Sequence, residues 1–235
     1  MSRLSPGHPA DYSSENSGSR TARGGVLIFP INLHLTDEKI VMIGGGQIAL
    51  HKIQNLLRFR LNICVVSPVI HPDIEKLEKD GLVAVQLKEA EEADYQDAFL
   101  VIAVTNSPEV NDEVARKAKA MGKLVIHTGQ QELGNCTIPA TLQRGRFTIS
   151  ISTGGASPTL AKQLRDELEE QYDESYGEYI DFLYEVRQTV KKVESDRAVR
   201  RRLLKVATDP AFYKDEQKRM DFLHKLQSKA GATDR

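Results

Sequence analysis

Tryptophan is absent from this 235-residue chain, cysteine occurs only as Cys64 and Cys136, and aromatic residues make up 6%. Two cysteines with neither metal-site nor redox-motif spacing exclude a disulfide framework, a zinc finger and a thioredoxin-like centre; both read as small buried hydrophobes. No group of residues reads as a metal site. An excess of charge is lacking too: 32 basic side chains face 33 acidic ones, a formal net charge of −1. The molecule as a whole therefore has no electrostatic pull toward nucleic acid or an anionic membrane, and neither is expected as a partner. No apolar run reaches the roughly 18–20 residues that cross a bilayer, and the N-terminal stretch has no apolar core of a secretory signal. The cytoplasm is the expected compartment. What is present, 40% hydrophobic and 28% charged residues, is the composition of a globular protein with room for one large or two modest domains.

Residues 1–25, rich in Ser, Gly, Arg and Pro, have almost nothing to bury and read as a disordered tail. From Val26 onward short apolar runs alternate with amphipathic segments. "KIVMI" (39–43), "NICVVS" (62–67), "LVAVQL" (82–87), "AFLVIAV" (98–104) and "KLVIHT" (123–128) read as strands. Between them, residues 47–59 place Ile48, Ala49, Ile53, Leu56 and Leu57 on one helical face. Ser107, Pro108 and Gly122 bracket another helix as cap, first residue and stop. Strands alternating with helices imply βαβ units and a mostly parallel, doubly wound sheet over 26–136. After residue 136 the pattern changes. "TIPATL" and "FTISIS" across "QRGR" predict a hairpin, and a helix from Pro158 is predicted to bury Leu160, Ala161, Leu164 and Leu168. These make a small α+β segment over 137–172. The remainder, 173–235, is predicted helical, with Tyr176, Tyr179, Ile180, Leu183 and Tyr184 as its apolar stripe.

Two glycine loops stand out. "VMIGGGQIA" sets Gly44, Gly46 and Ala49 in a G-x-G-x-x-A arrangement between a strand and a helix. Gly44 permits the tight turn, Gly46 lets backbone amides approach a pyrophosphate, and Ala49 lets the helix pack close to the sheet. The helix N-terminus adds roughly half a positive charge. With a strand before it and a helix after it, the motif predicts a Rossmann-type dinucleotide site; a glycine-rich turn used for packing alone is the alternative. The second strand, however, ends in Ser67 and Pro68 where a ribose-binding carboxylate is usual, so backbone and a hydroxyl must hold the ribose, which leaves the choice between NAD and NADP open. Thr105 and Asn106, after the fourth strand, are candidates to line the nicotinamide half; a plain helix cap is the alternative. The second loop, Ser152, Thr153, Gly154, Gly155 and Ser157, leads into the helix at Pro158. It is another anion cradle, with Arg144, Arg146, Lys162 and Arg165 around it, suited to a carboxylate-bearing substrate; a Ser-capped helix after a glycine turn is the alternative.

With these motifs placed, the sequence resembles the precorrin-2 dehydrogenase family, which includes free-standing dehydrogenases and the N-terminal module of siroheme synthase. The likeness runs collinearly over roughly residues 28–190. It passes from "FPINLHLTDEKIVMIGGGQIALHKI" through "VVSP", "AFLVIAVTNSPEVN" and "TIPATLQRGRFTISISTGGASPTLAKQLRDELE" to "YDESYGEYIDFLYEVR". The last stretch is most similar to the stand-alone bacterial enzyme. The resemblance implies oxidation of precorrin-2 to sirohydrochlorin with NAD, and a homodimer whose dimerisation segment is the hairpin and following helix. Carried across by position, it puts NAD contacts at Gln47, Ile48, Pro68 and Val69 beside Gly44, Gly46, Ser67, Thr105 and Asn106. Substrate contacts fall on Arg146, Ser152, Thr153, Gly154, Gly155 and Ser157.

One departure matters. Family members commonly read V-N-V-x-D after the fifth strand, with that Asp as general base; here "VIHTGQQELGN" places Gly129 there. Glu132 and His127 are nearest in sequence as substitutes, with Ser152 a third candidate for the catalytic set. Orientation of the macrocycle against the nicotinamide alone can supply on the order of 7 kcal/mol. The missing Asp also argues against the iron insertion that some members perform. Two further readings stay open: a bifunctional dehydrogenase–ferrochelatase, and a dinucleotide-sensing regulatory domain that performs no chemistry. The second needs neither the S-T-G-G-A-S-P loop nor the helical tail.

Overall fold

The structure, a computed structural model, describes residues 28–233. The expected tail over 1–25 lies outside the described residues. Five parallel strands form one sheet: β1 (Lys39–Gly45), β2 (Asn62–Ile70), β3 (Ala84–Gln86), β4 (Leu100–Ala103) and β5 (Leu124–His127), in the order β3-β2-β1-β4-β5. Helices α1 (Gln47–Leu57), α2 (Pro72–Lys79), α3 (Glu92–Tyr95) and α4 (Pro108–Ala120) connect them. Ile40, Val41, Met42, Val65, Val101 and Ile102 are fully buried, as expected of β-branched runs covered on both faces. The strand order reverses between β1 and β4, and ligands of such sheets bind outside the strand ends at that point.

The pattern is corrected in detail. α1 turns Ala49, Leu50, Ile53 and Leu56 to the sheet, while Ile48 is 55% exposed. At about 100° per residue, seating Ala49 and Leu50 rotates Ile48 outward. β2 runs past its expected end through Pro68 to Ile70: Ile43 pairs with Val66 but Gly45 with Ile70, so the strand bulges there.

Beyond the sheet, β6 (Ala140–Arg144) and β7 (Phe147–Ile151) form the antiparallel hairpin, followed by α5 (Pro158–Gln171). Of the four apolar residues expected to be buried on α5, only Ala161 is. Leu168 is partly covered, and Leu160 and Leu164 stay 46% and 37% exposed. They sit one turn apart, on a face that none of the described residues covers. The last helices, α6 (Ser175–Val193), α7 (Arg197–Ala207) and α8 (Glu216–Thr233), pack about Tyr179, Phe182, Val186 and Val190. The buried line of α6 thus runs through Phe182 rather than Tyr184, which is exposed. Phe147, Tyr172 and Tyr176 stack with ring centroids 4.7–5.3 Å apart, tying the hairpin to α6.

Candidate functional site

The first glycine loop divides its labour. Gly44 has φ +116°, and a Cβ there would lie 2.6 Å from the Val104 carbonyl oxygen, where β1 passes the end of β4. Gly45, unremarked in the sequence motif, is equally constrained: a Cβ would meet Ile70 at 2.7 Å and the Val69 carbonyl at 2.8 Å. The His71 amide also donates to the Gly45 carbonyl at 2.7 Å. At Gly46, by contrast, an added Cβ meets nothing within 4 Å. Gly46 is the N-cap of α1, no side chain caps that helix, and its first turn holds no acid. The first intrahelical bond of the turn is Leu50 N–H to Gly46 O, so the amides of Gln47, Ile48 and Ala49 have no helical acceptor. Three free amides, the positive end of a dipole and open space above them fit a pyrophosphate.

On one side of this cradle β2 ends without a carboxylate. The Ser67 hydroxyl is buried and donates to the Val69 carbonyl at 2.7 Å, which commits it to the bulge. Val69, 76% exposed, presents a bare apolar surface of the kind that suits an adenine ring; Pro68 sits between them. On the other side the Thr105 hydroxyl donates to Asn111 Oδ1 at 2.8 Å and the Thr105 amide to the same oxygen at 2.9 Å. Asn111 Nδ2 returns a bond to the Thr105 carbonyl at 3.0 Å. Thr105 therefore shapes its loop, and its neighbour Asn106 is the exposed one. Buried Asn111 was not found from the sequence, because an Asn inside a helix carries no motif; it is what locks this loop.

The second loop is built differently. Gly154 and Gly155 have φ +62° and +85°. The Ser152 hydroxyl accepts from the Gly154 amide at 3.3 Å, Thr153 Oγ1 from the Ser157 amide at 3.0 Å, and Ser157 Oγ from the Leu160 amide at 3.2 Å. Each hydroxyl is oriented by a bond it accepts and keeps its proton to donate. The loop abuts the end of the sheet, since a Cβ on Gly155 would lie 2.6 Å from Gln131 Oε1 in the 3-10 turn Gln131–Leu133 after β5. A cavity of about 310 Å³ opens between the later turns of α1 and this loop, lined by Lys52, Asn55 and Gln131 together with Ser152, Thr153 and Gly155. The second cradle therefore borders this cavity, and α1 runs from the first cradle to it.

Two candidates fall away from it. Arg146 lies in the hairpin turn, at the opposite end of β7 from Ser152, about 20 Å along an extended strand. Its guanidinium pairs with Asp181 at 3.2 Å and stacks over Tyr184 at 4.0 Å, so it braces the helical region. Arg144 likewise bonds the Tyr172 carbonyl and Glu174. His127 is buried with both ring nitrogens engaged. Nδ1 accepts from the amides of Gly129 and Gln130, at 3.1 and 2.8 Å, which places its proton on Nε2, 2.9 Å from Asp112 Oδ1. That is a strand-end clamp with no free lone pair for a base. Glu132 is exposed on the 3-10 turn, but its neighbour Gln131 is the residue that lines the cleft. Among the described residues no three His, Cys, Asp or Glu side chains are grouped to hold a metal, and no helix is long and apolar enough to cross a membrane.

Comparison with known proteins places these parts in one lineage. The family model described as putative NAD(P)-binding matches residues 31–140, the sirohaem biosynthesis protein central model residues 144–171, and the SirC C-terminal domain model residues 176–222. A precorrin-2 dehydrogenase of Priestia megaterium is 32% identical over 200 residues, covering 85% of this chain and 98% of its own length. One from Bacillus subtilis (strain 168) is also 32% identical, over 160 residues, covering 68% and 98%. The solved structure of SirC, precorrin-2 dehydrogenase, aligns with a TM-score of 0.70 at 31% identity, covering 86% of this chain and all of that one. The chain belongs to the precorrin-2 dehydrogenase family.

Proposed function

We propose that the protein oxidises precorrin-2 to sirohydrochlorin, the substrate giving up a hydride to NAD and a proton to solvent or a nearby base. The observation that carries this reading is the pairing of two cradles on one sheet: an uncapped, acid-free helix start at its switch point, and a hydroxyl-rich glycine loop that abuts the turn after β5 at Gln131. When bound, the dinucleotide supplies the hydride acceptor. The chain's own residues position the reactants. Gly44, Gly45 and Gly46 shape the cradle, the amides of Gln47 and Ile48 hold the pyrophosphate, and Ser67, Pro68 and Val69 support the adenosine half. Asn106, on the loop held by Thr105 and Asn111, faces the nicotinamide half. The free hydroxyl protons of Ser152, Thr153 and Ser157, with the left-handed turn at Gly154 and Gly155, grip substrate carboxylates. With His127 clamped, exposed Glu132 and water are the remaining proton acceptors beside Ser152. No carboxylate stands at position 129, so the protein is a dehydrogenase without iron insertion.

The working division is a nucleotide-binding domain over 26–136, a dimerisation segment over 137–172 and a helical domain over 173–235. The exposed Leu160 and Leu164 support a homodimer closed through α5. The cytoplasm, where the dinucleotide is available, is the assigned compartment. The test is spectrophotometric: purified protein with precorrin-2 forms sirohydrochlorin and NADH in equal amounts, faster with NAD than with NADP, because β2 ends in neither Lys nor Arg to hold a 2′-phosphate. Dinucleotide binding without turnover would leave a sensing domain instead.

A further inference from the structure

Lys52 sits on α1 six residues past Gly46, about 9 Å along the helix axis at 1.5 Å per residue. It lines the cleft opposite Ser152, Thr153 and Gly155, and none of the residues around that cavity is acidic. Four other lysines of this domain have carboxylate partners, Lys76 with Asp73, Lys79 with Glu75, Lys88 with Asp94 and Lys117 with Glu113, at 2.7–2.9 Å, while Lys39 and Lys119 donate to backbone carbonyls. Lys52 has none among the described residues, and burial alone pushes its pKa down. An ammonium drawn out of water without a counter-ion is unfavourable until an anion joins it. Two further cations share the wall, Arg58 and Arg165. Arg165 is already paired with Asp166, to which its Nε donates at 2.9 Å, and Arg58, exposed at the end of α1 and 5.8 Å from the Phe59 ring, keeps its charge in water. Lys52 is therefore the half-buried cation of the lining without a carboxylate partner among the described residues, the one that gains most from a ligand carboxylate. A cavity of about 310 Å³ admits the edge of a macrocycle and its acidic side chains, not the whole ring system.

We propose that Lys52 is a positioning residue for the substrate, its ammonium receiving a carboxylate on the edge of the tetrapyrrole across the cleft from Ser152 and Thr153. The inference rests on the dehydrogenase reading above and adds a contact that the glycine loops alone do not provide. Two anchors on opposite walls would fix the tilt of the macrocycle, which one loop cannot.

The test compares Lys52→Met, which keeps the apolar stem, with Lys52→Arg, which keeps the charge. Four quantities are measured on the full chain: binding of sirohydrochlorin, followed by its own absorbance; KM and kcat with precorrin-2; NAD affinity; and Tm. Lys52→Met is expected to weaken sirohydrochlorin binding and raise KM by about tenfold or more, the scale of a lost charge-assisted hydrogen bond. Its kcat and NAD affinity should hold, and its Tm should be equal or higher, since a half-buried charge without a carboxylate partner among the described residues has gone. Lys52→Arg should recover most of the affinity. Wild-type sirohydrochlorin affinity in Lys52→Met overturns the proposal, as does a loss that Arg fails to recover. If the wild-type protein itself neither binds sirohydrochlorin nor forms NADH from precorrin-2, the dehydrogenase reading falls first and takes this anchor with it.

Discussion

A Cβ added at Gly46 meets no atom within 4 Å, whereas one at Gly44, two residues earlier, runs into the Val104 carbonyl. The two glycines of one motif are therefore separable by experiment. Gly46 has φ −83°, ordinary for any residue, so Gly46→Asp should fold with a Tm close to wild type. It should nevertheless lose dinucleotide binding, because the carboxylate would occupy the pyrophosphate space beside three free amides. Titration calorimetry with NAD checks this, and binding at wild-type strength would remove the cradle from the site. Individual residues also set the limits of the motif. Gly46 and the Ser-Thr-Gly-Gly loop could be read directly, since their spacing carries the chemistry. Lys52, Gln131 and Asn111 could not, because a lysine, a glutamine and an asparagine without a motif acquire meaning only from what folds against them.

Among the elements, the four-residue helix α3 shows how side chains replace length. Too short to stabilise itself, it is closed by a capping box in which the Glu91 amide donates to Asp94 Oδ2 at 2.8 Å. Lys88 reaches the other oxygen of the buried Asp94 carboxylate at 2.9 Å. Burial raises the Asp94 pKa, but the Lys88 ammonium and the Glu91 amide outweigh it and hold the group below the usual carboxylate range. A carboxylate with a lower pKa folded than unfolded stabilises the protein fully above its unfolded value, about 3.9. That contribution is lost as pH falls through the folded value. Asp94→Asn is expected to cost about 1–2 kcal/mol at neutral pH and to flatten the acid side of the stability curve, as measured by urea unfolding between neutral and acidic pH. An unchanged acid slope would show that Asp94 is not its source. The same scale explains α1: the periodicity of its apolar residues was visible, but its rotation was not. Packing Ala49 and Leu50 against the sheet decides that Ile48 faces outward.

For the whole molecule the telling feature is an apolar face that the described residues leave uncovered. Leu160 and Leu164 repeat at one helical turn on α5 and remain 46% and 37% exposed, although their pattern reads as a core stripe. Periodicity reports which residues avoid water, not which chain covers them, so intramolecular and intermolecular burial look alike in a sequence. The homodimer proposed above would account for both. Sedimentation velocity of the wild-type protein should give a dimer, and the double substitution Leu160→Glu and Leu164→Glu a monomer, since two buried like charges in each half of a symmetric contact are strongly unfavourable. A wild-type monomer at micromolar concentration would refute the pairing.

The order of strands and helices, the two glycine loops and the lack of an acid at the end of β2 and at position 129 were determined by the sequence alone, because local spacing and backbone freedom act over a few residues. Tertiary structure decided the rest. It closed His127 around Asp112 and the Gly129 and Gln130 amides, carried Arg146 off to Asp181, and set Lys52 unpaired in the cleft. The physical reason is that a side chain's partner and solvent access depend on what folds against it: α4 beside β5 brings Asp112 to His127, α6 beside the hairpin brings Asp181 to Arg146, and the loop before α5 closes the cavity at Lys52.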